Sequence, residues 1–482
     1  MAPLTLLLLI PAAAAILVAL LPDRHGRWVI GGATAGGLLL ATYLAGCFDA
    51  AQSGYQWLDD APWMPALGAG WRVGVDGLSV LFLPATELLF AAVLLFDRGA
   101  GRRERAALLL LLKAATLGIF AALDALLFFL FWELTLLPIY FLVARHGLGG
   151  RSPEAAMQYV LTMLLAGVPV LLAFVIRGTL GETLDFSIPN WIAVPPDAAT
   201  QRTIFLLLFA GFAFKVPLFP LHTWLPALAR EGGPGVLATI VGLKVGAYAI
   251  LRIAVPLAPE AAASMHWLLA ALGAATMMFG ALASLAQTNL RGLLAYASLS
   301  HVGLVVLAVA SFSIDGVRGA TLQLLNFALA SSVLFLLAGA LHRRLGTTEV
   351  GQLGGAAVTM PLLAAFFVLF TFAGFGLPGT SGFPAELTML FAVFDRHTGA
   401  ALASLAAAGI GAAAALGLIR RAFFGPAIHL AVRQSVDLDR REVLVALAFA
   451  LLVVGIGFFP GPVYDFLSVA AQDWVARLPR PQ

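Results

Sequence analysis

The sequence predicts an all-α polytopic membrane protein with about fourteen transmembrane helices. Three observations carry this. Of 482 residues, 61% are hydrophobic and only 11% are charged, where an ordinary soluble domain has about a quarter of its residues charged. Apolar windows of about 20 residues, the length that crosses a bilayer as a helix, recur from one end of the chain to the other. The polar gaps between them are short, and positive charge concentrates in every second gap. The formal net charge of +3 and the scattered placement of the arginines exclude a nucleic-acid surface. A single cysteine, Cys47, excludes an internal disulfide framework and any multi-cysteine metal or iron–sulfur site.

Taken in order, the first apolar run (4–21) has no basic residue ahead of it; Arg24 and Arg27 follow it instead. That marks a retained first helix with its N-terminus outside, not a signal peptide. Further spans fall at 28–47, 76–96, 106–123, 125–143, 155–176, 203–226, 235–254, 266–286, 292–311, 321–342, 361–394, 400–421 and 442–460. The 361–394 run is too long for one straight crossing and is interrupted by Gly374, Gly376, Pro378, Gly379 and Gly382. It reads as one broken helix, with two separate spans as the alternative. Gaps after the odd-numbered spans hold seventeen arginines and the opposite gaps hold seven. That bias makes the first face cytoplasmic and puts both termini outside. The longest gaps, 48–75 and 177–202, are too short for an extramembrane domain.

The seventh span reads FAGFAFKVPLFPLHTWLP and the twelfth FTFAGFGLPGTSGFPAEL. Both are Phe-rich, broken midway by Pro and Gly, and carry an ionisable group beside the break. Matched interruptions in two halves point to a transport site at mid-membrane. The expected organisation is a three-helix segment (1–97), a first five-helix repeat (98–255), a second repeat of inverted topology (256–424), and a C-terminal helix and tail (425–482).

Lysine usage sharpens this. The chain has three lysines, Lys113, Lys215 and Lys244, all in apolar segments, while arginine supplies its other positive charges. Lysine gives up its proton when buried and arginine in practice does not. Each buried charge costs about 2.5–3.5 kcal/mol on insertion scales, and irregular backbone at membrane depth needs protein or water around it. Charges at helix breaks therefore point to a hydrated path. Glu133, in LFFLFWELTLLPIYFLV, has no opposite charge within a turn of its own helix, and Lys215 is its candidate partner. A fixed structural pair is one reading; the other is a pair whose separation sets the proton affinity of the lysine. Lys244 lies in a helix beside Gly242, Gly246 and Tyr248 and is expected to act as a relay. Glu386, just past the second break, is the candidate terminal acceptor. Among the histidines, His301 is well placed to bridge groups, His222 is as readily structural, and His342 is interfacial. Asp76 and Asp124 sit at span ends, where capping competes with transport. Lys113 is open to snorkelling toward the cytoplasmic side, and Glu87 has no assigned role. No phosphate loop, nucleophile elbow or metal signature appears.

The stretches WRVGVDGLSV, LDALLFFLFWELTLLPIYFLV, FAFKVPLFPLHTWLP, GLKVGAYAILR, AQTNLRGLLAYASLSHVG and LPGTSGFPAELTMLF together resemble the antiporter-like membrane subunits of respiratory complex I. The likeness is strongest to the chain M or subunit 4 type, with Mrp-type antiporter subunits as relatives. It runs in order over almost the whole chain. The resemblance implies fourteen helices with two inverted five-helix repeats, each with a discontinuous helix, and proton translocation along a mid-membrane polar axis. It makes Glu133 the essential glutamate, Lys215 the broken-helix lysine, Lys244 the central relay lysine and Glu386 the exit-side acid. It implies no cofactor in this chain, with NADH, FMN, iron–sulfur clusters and quinone in partner subunits. The partners it implies are other complex I membrane subunits, neighbouring antiporter-like ones among them, in a bacterial plasma membrane. Two departures stand out: Arg230-Glu231-Gly232-Gly233-Pro234-Gly235 before the eighth span, and Asn326 where relatives usually carry histidine. Asparagine can hold a water wire but takes up no proton near neutral pH, so the Lys244–Glu386 link is expected to run through water and His301. A cation/proton antiporter subunit and a membrane scaffold held by buried ion pairs are the alternative functions.

Overall fold

A computed structural model describes residues 2–96 and 102–479. Arg98 and Arg480, both counted in the charge asymmetry, lie outside the described residues. The described chain is mostly helical. Ten of its helices are long and apolar enough to cross a membrane, and Phe82–Phe96 and Pro361–Gly374 are shorter apolar helices.

The N-terminal segment comprises α1 (Pro3–Leu20), α2 (Asp23–Gly46) and α3 (Phe82–Phe96), with α1 packed on α4 (Arg102–Ala121). Between α2 and α3 the chain forms a β-hairpin with a 3-10 turn (Pro65–Leu67) at its tip, which corrects the all-α expectation. Strands β1 (Gln56–Met64) and β2 (Ala69–Val75) pair antiparallel, with Asp59 opposite Val73 and Asp60 opposite Arg72. The sequence carries the reason: aromatic and branched residues (Trp57, Trp63, Trp71, Val73, Val75) flank a turn closed by Gly68 at φ 66°.

The next helices are α5 (Ala125–Leu134), α6 (Leu136–Ala144), α7 (Ser152–Gly178), the short α8 (Ile188–Ala193), α9 (Ala198–Lys215) and α10 (Trp224–Glu231). Asp124 caps α5 by accepting from the Leu126 and Leu127 amides, and it also meets Arg72 at 3.2 Å. It is structural. Asp197 caps α9; the Thr200 hydroxyl and the first amides hold its carboxyl below the usual range. The seventh span is broken as expected, between α9 and α10.

The eighth span departs from a plain helix. It runs as α11 (Pro234–Leu243), α12 (Val245–Ala249), a π-helical turn (Ile250–Ala254) and α13 (Val255–Leu257). Lys244, expected within a helix, stands at the interruption between α11 and α12, with φ 43° and ψ 41°. After α14 (Pro259–Ser264) come α15 (His266–Leu285), α16 (Leu290–Val309) and α17 (Ile314–Asn326). A second π turn (Phe327–Ser331) leads into α18 (Ser332–Leu345). After α19 (Ala356–Thr359), α20 (Pro361–Gly374) and α21 (Gly382–Arg396) flank the second break, which supports the broken-helix reading of 361–394. Then follow α22 (Thr398–Phe423), α23 (Leu430–Arg433) and α24 (Arg440–Phe458). The tail is not featureless. It forms α25 (Gly461–Ala476), which packs along α17 and hydrogen-bonds from Tyr464 to the Pro384 carbonyl of α21 and from Trp474 to the Leu251 carbonyl of the π turn.

Burial sorts these helices into layers. The spans of α16 and of α17–α18 are each 94% buried, whereas that of α2 is 28% buried and that of α24 33%. The outer helices keep one apolar face open; on α7 it is formed by Leu161, Leu165, Val168 and Leu172. In a bilayer such a face meets lipid at no cost.

Candidate functional site

The first broken helix packs on the interrupted eighth span, and the second π turn packs between α11 and α20 of the second broken helix. Gly246 makes this approach possible: a Cβ there would lie 2.7 Å from Val216 N and 2.8 Å from the Lys215 carbonyl carbon. The start of α12 therefore packs directly on the end of α9. Lys215 and Lys244 consequently line one cavity, together with Thr116, Thr135, Tyr159 and Thr239. The space open to water there is about 40 Å³, where one water needs about 10–15 Å³.

Lys215 Nζ donates to the Trp132 carbonyl (3.2 Å) and to Thr135 Oγ1 (3.1 Å), and it lies 3.8 Å from the centre of the Trp132 ring. Glu133 sits between those two residues in sequence, yet it forms no ion pair with Lys215 within 4.0 Å among the described residues. Its carboxylate turns instead toward α7, against Gly167, and Glu133 Oε1 is buried without a hydrogen-bond partner. The expected contact pair is thus held apart, because the C-terminal end of α5 offers the ammonium a carbonyl, a hydroxyl and an aromatic face. The two charges remain within electrostatic reach of one another.

On the far side, His301 of α16 and Glu386 of α21 come together. Nδ1 lies 3.1 Å from Glu386 Oε1. The His301 ring is 4.9 Å from Phe375 at the second break and 6.5 Å from Phe327. A smaller cavity of about 30 Å³ touches His301, Ser298, Ser331 and Thr371. Lys244 reaches toward this half only as far as Phe327, whose ring centre is 5.3 Å from Nζ. Phe327, the first residue of the second π turn, therefore stands between Lys244 and His301.

Asn326 is engaged by protein groups. Its amide nitrogen donates to the Ala373 carbonyl (3.3 Å) and to Gln323 Oε1 (3.3 Å), and its oxygen accepts from Ser381 (2.7 Å). Ala373 lies just before the second break and Ser381 just after it, so the asparagine clamps both edges. The other departure, 230–235, is equally well integrated: Arg291 donates to the Gly232 carbonyl, and Glu231 accepts from Arg151 and Leu148 amides. His222 lies tilted against Phe279, 4.6 Å away, outside the lysine cavity, and His342 is half-buried near the end of α18.

Two ion pairs were not evident in the sequence. Lys113 does not snorkel; its Nζ meets Glu87 Oε2 at 2.8 Å, and both side chains are fully buried between α3 and α4, against Gly37 of α2. Arg252, in the first π turn, pairs with Asp76 ahead of α3. The available signal for each was a lone acid and a lone base at similar depth in separate spans.

A wider cavity of about 130 Å³ opens on the arginine-rich face, lined by Arg105, Leu109, Leu142, His146 and Gly233–Val236. The same three helices line the lysine cavity about one turn deeper: Leu112 and Thr116 on α4, Ile139 and neighbouring Thr135 on or beside α6, Thr239 and Ile240 on α11. Residues 122–411, which contain Glu133, Lys215, Lys244, His301 and Glu386, match the family described as NADH:quinone oxidoreductase/Mrp antiporter, TM. The chain belongs to this family. Among relatives of this NADH:quinone oxidoreductase/Mrp antiporter family, NADH-quinone oxidoreductase subunit M of Rhodobacter capsulatus is 32% identical, over 96% of this chain and 94% of that one. NAD(P)H-quinone oxidoreductase chain 4 1 of Synechococcus elongatus is 33% identical, over 97% and 91%. A chain of respiratory complex I from Thermus thermophilus superposes with a TM-score of 0.92 at 33% identity, covering 99% of this chain and 100% of that one. A chain of the Mrp complex from a Dietzia species gives 0.87 at 25% identity, over 98% and 97%.

Proposed function

We propose that this chain is the proton-translocating membrane subunit of an NADH:quinone oxidoreductase, in which Glu133, Lys215, Lys244, His301 and Glu386 carry the proton. The observation that carries this reading is the pair of cavities about one turn apart on α4, α6 and α11, leading from the arginine-rich face to two buried lysines at helix breaks. Protons enter by that route and load Lys215. When the ammonium lies against Glu133 its charge is favoured; when it moves to Thr135 and the Trp132 carbonyl, as here, that opposing charge is farther away. The proton then passes to Lys244 and across to His301 and Glu386. Phe327 separates the halves until water or a ring rotation bridges them.

Within this reading the chain makes fourteen crossings: the ten long apolar spans, plus α3, α4, the broken α9–α10 and the broken α20–α21. Residues 98–255 and 256–424 form the two inverted five-helix repeats, preceded by the 1–97 segment and followed by 425–482. The arginine-rich face is cytoplasmic, the hairpin and both termini are on the periplasmic side, and the membrane is a bacterial plasma membrane. Neighbouring antiporter-like subunits flank it, and the NADH, FMN, iron–sulfur and quinone chemistry belongs to other subunits. A cation/proton antiporter subunit is the second reading, favoured by the Mrp likeness.

The deciding experiment is purification of the native assembly followed by proton pumping in vesicles. Redox subunits should co-purify, and Lys215→Met should abolish most pumping while the complex still assembles. An assembly without redox subunits supports the antiporter reading. Unchanged pumping in the Lys215→Met complex overturns both and leaves a scaffold.

A further inference from the structure

Lys244, Tyr248 and Arg252 recur every four residues, so they rise along one face of the interrupted eighth span toward the hairpin face. Above Lys244 three aromatic rings close the way. Tyr248 lies 4.8 Å from Phe120 and 5.6 Å from Phe82, and Phe82 stacks on Phe120 at 4.7 Å. The Tyr248 hydroxyl is spent on the Phe120 carbonyl (3.2 Å). One turn farther on, Arg252 pairs with Asp76 and lies 5.0 Å over the Tyr55 ring. Asp76 is itself fixed by the Leu78 amide (3.1 Å) and by the Ser79 hydroxyl (3.2 Å). Beyond the pair is a small polar pocket reaching Gln52, Tyr55, Asp473 and Arg477, with room for about one water (20 Å³). Asp76 and Arg252 form the floor of that pocket, whereas Tyr248 beneath them is almost completely buried.

We infer that the Asp76–Arg252 pair, over the Phe82/Phe120/Tyr248 stack, is the outer seal of the first repeat, keeping a proton on Lys244 from leaving directly to the hairpin face. This rests on the proposed role of Lys244 as a proton carrier. The chemistry suits a seal. An arginine does not release its proton, so it repels an arriving proton without passing one on. The Asp76 carboxylate is in turn held in place by the guanidinium, an amide and a hydroxyl, so the pair stays where it is. The π turn places the arginine. Its register is held by Trp474 of α25, which donates to the Leu251 carbonyl at 2.8 Å, and π turns occur often at functional positions in helices. With the outer way closed, the only forward path for a proton loaded on Lys244 is sideways past Phe327 to His301 and Glu386. Asp76 and Arg252 are positioning residues in this scheme and take no part in the transfer itself.

The test uses the whole complex reconstituted in vesicles, with a double variant, Asp76→Asn with Arg252→Gln, that removes both charges together. Redox turnover should stay near wild type, showing that assembly holds, while the steady pH gradient falls and decays several-fold faster once turnover stops. Adding Lys244→Met should restore slow decay, because the leak runs through that lysine. A double variant that turns over and holds its gradient as wild type does overturns the inference, as does a leak that persists without Lys244. Should the double variant fail to assemble, Phe120→Ala opens the aromatic layer alone. The ion pair must then keep the decay at the wild-type rate, and a fast decay overturns the inference. Failure of the functional reading is separate: it shows as pumping that survives Lys215→Met, whatever the leak.

Discussion

Lys244 holds left-handed backbone, φ 43° and ψ 41°, at a cost of about 1–2 kcal/mol for a residue with a Cβ. Glycine adopts this conformation without strain, which separates the shape of the break from its charge. Lys244→Gly should assemble and resist heat at least as well as wild type, yet pump far less; a pumping assay beside a thermal inactivation curve reads both. Lys215 allows a similar separation. Lys215→Arg keeps the positive charge and the stack on Trp132 but holds its proton permanently. Pumping should fall as far as it does in Lys215→Met, although the carbonyl and ring contacts of the wild type are largely kept. At this scale the sequence was informative about which charges are buried, because every lysine falls in an apolar run and all three are buried. It was silent about where each side chain points. Glu133 facing Gly167, and Lys215 facing Thr135, follow from neighbours supplied by distant segments.

The interrupted helices are held open by specific polar contacts. Asn326 binds both edges of the second break, so Asn326→Leu leaves the Ala373 carbonyl and the Ser381 hydroxyl without their partner. Each buried group left unpaired costs about 1–3 kcal/mol, and α20 and α21 then lose their fixed spacing around Glu386. The expected result is lower thermal stability of the purified complex and a reduced proton yield per electron; unchanged values for both would show the clamp to be dispensable. Both Pro- and Gly-rich breaks were legible, since those residues interrupt helices for local reasons. The break at Lys244 and the second π turn were not, because no proline marks them, and at Lys244 the cause is tertiary: α9 presses on Gly246. The first π turn is followed by Pro256, which has no amide hydrogen to offer, and Trp474 takes the Leu251 carbonyl. The hairpin and α25 were missed for another reason. Both mix polar and apolar residues, and a search for long apolar runs passes over them.

Across the whole molecule, the most deeply buried spans are α16, α17–α18 and the eighth span, which hold His301, Asn326 and Lys244, and the open apolar faces lie on α2, α7 and α24. Hydropathy and the arginine count conveyed this plan because lipid acts on every residue of a span at once. Pairings between spans left no comparable trace. The Glu87–Lys113 pair joins α3 to α4 with both groups fully buried. Losing one partner of such a pair costs about 3–5 kcal/mol, whereas replacing both by apolar groups is often neutral. Lys113→Leu should therefore lower the amount of assembled complex in membranes, measured by quantitative blotting, and Glu87→Leu added to it should recover most of the loss. The pair also has a consequence for how the protein is made. A glutamate and a lysine that leave the ribosome in neighbouring spans are each a poor passenger for the insertion machinery when alone. They cross more readily as a helical hairpin whose charges cancel, so α3 is expected to wait for α4 before it enters lipid.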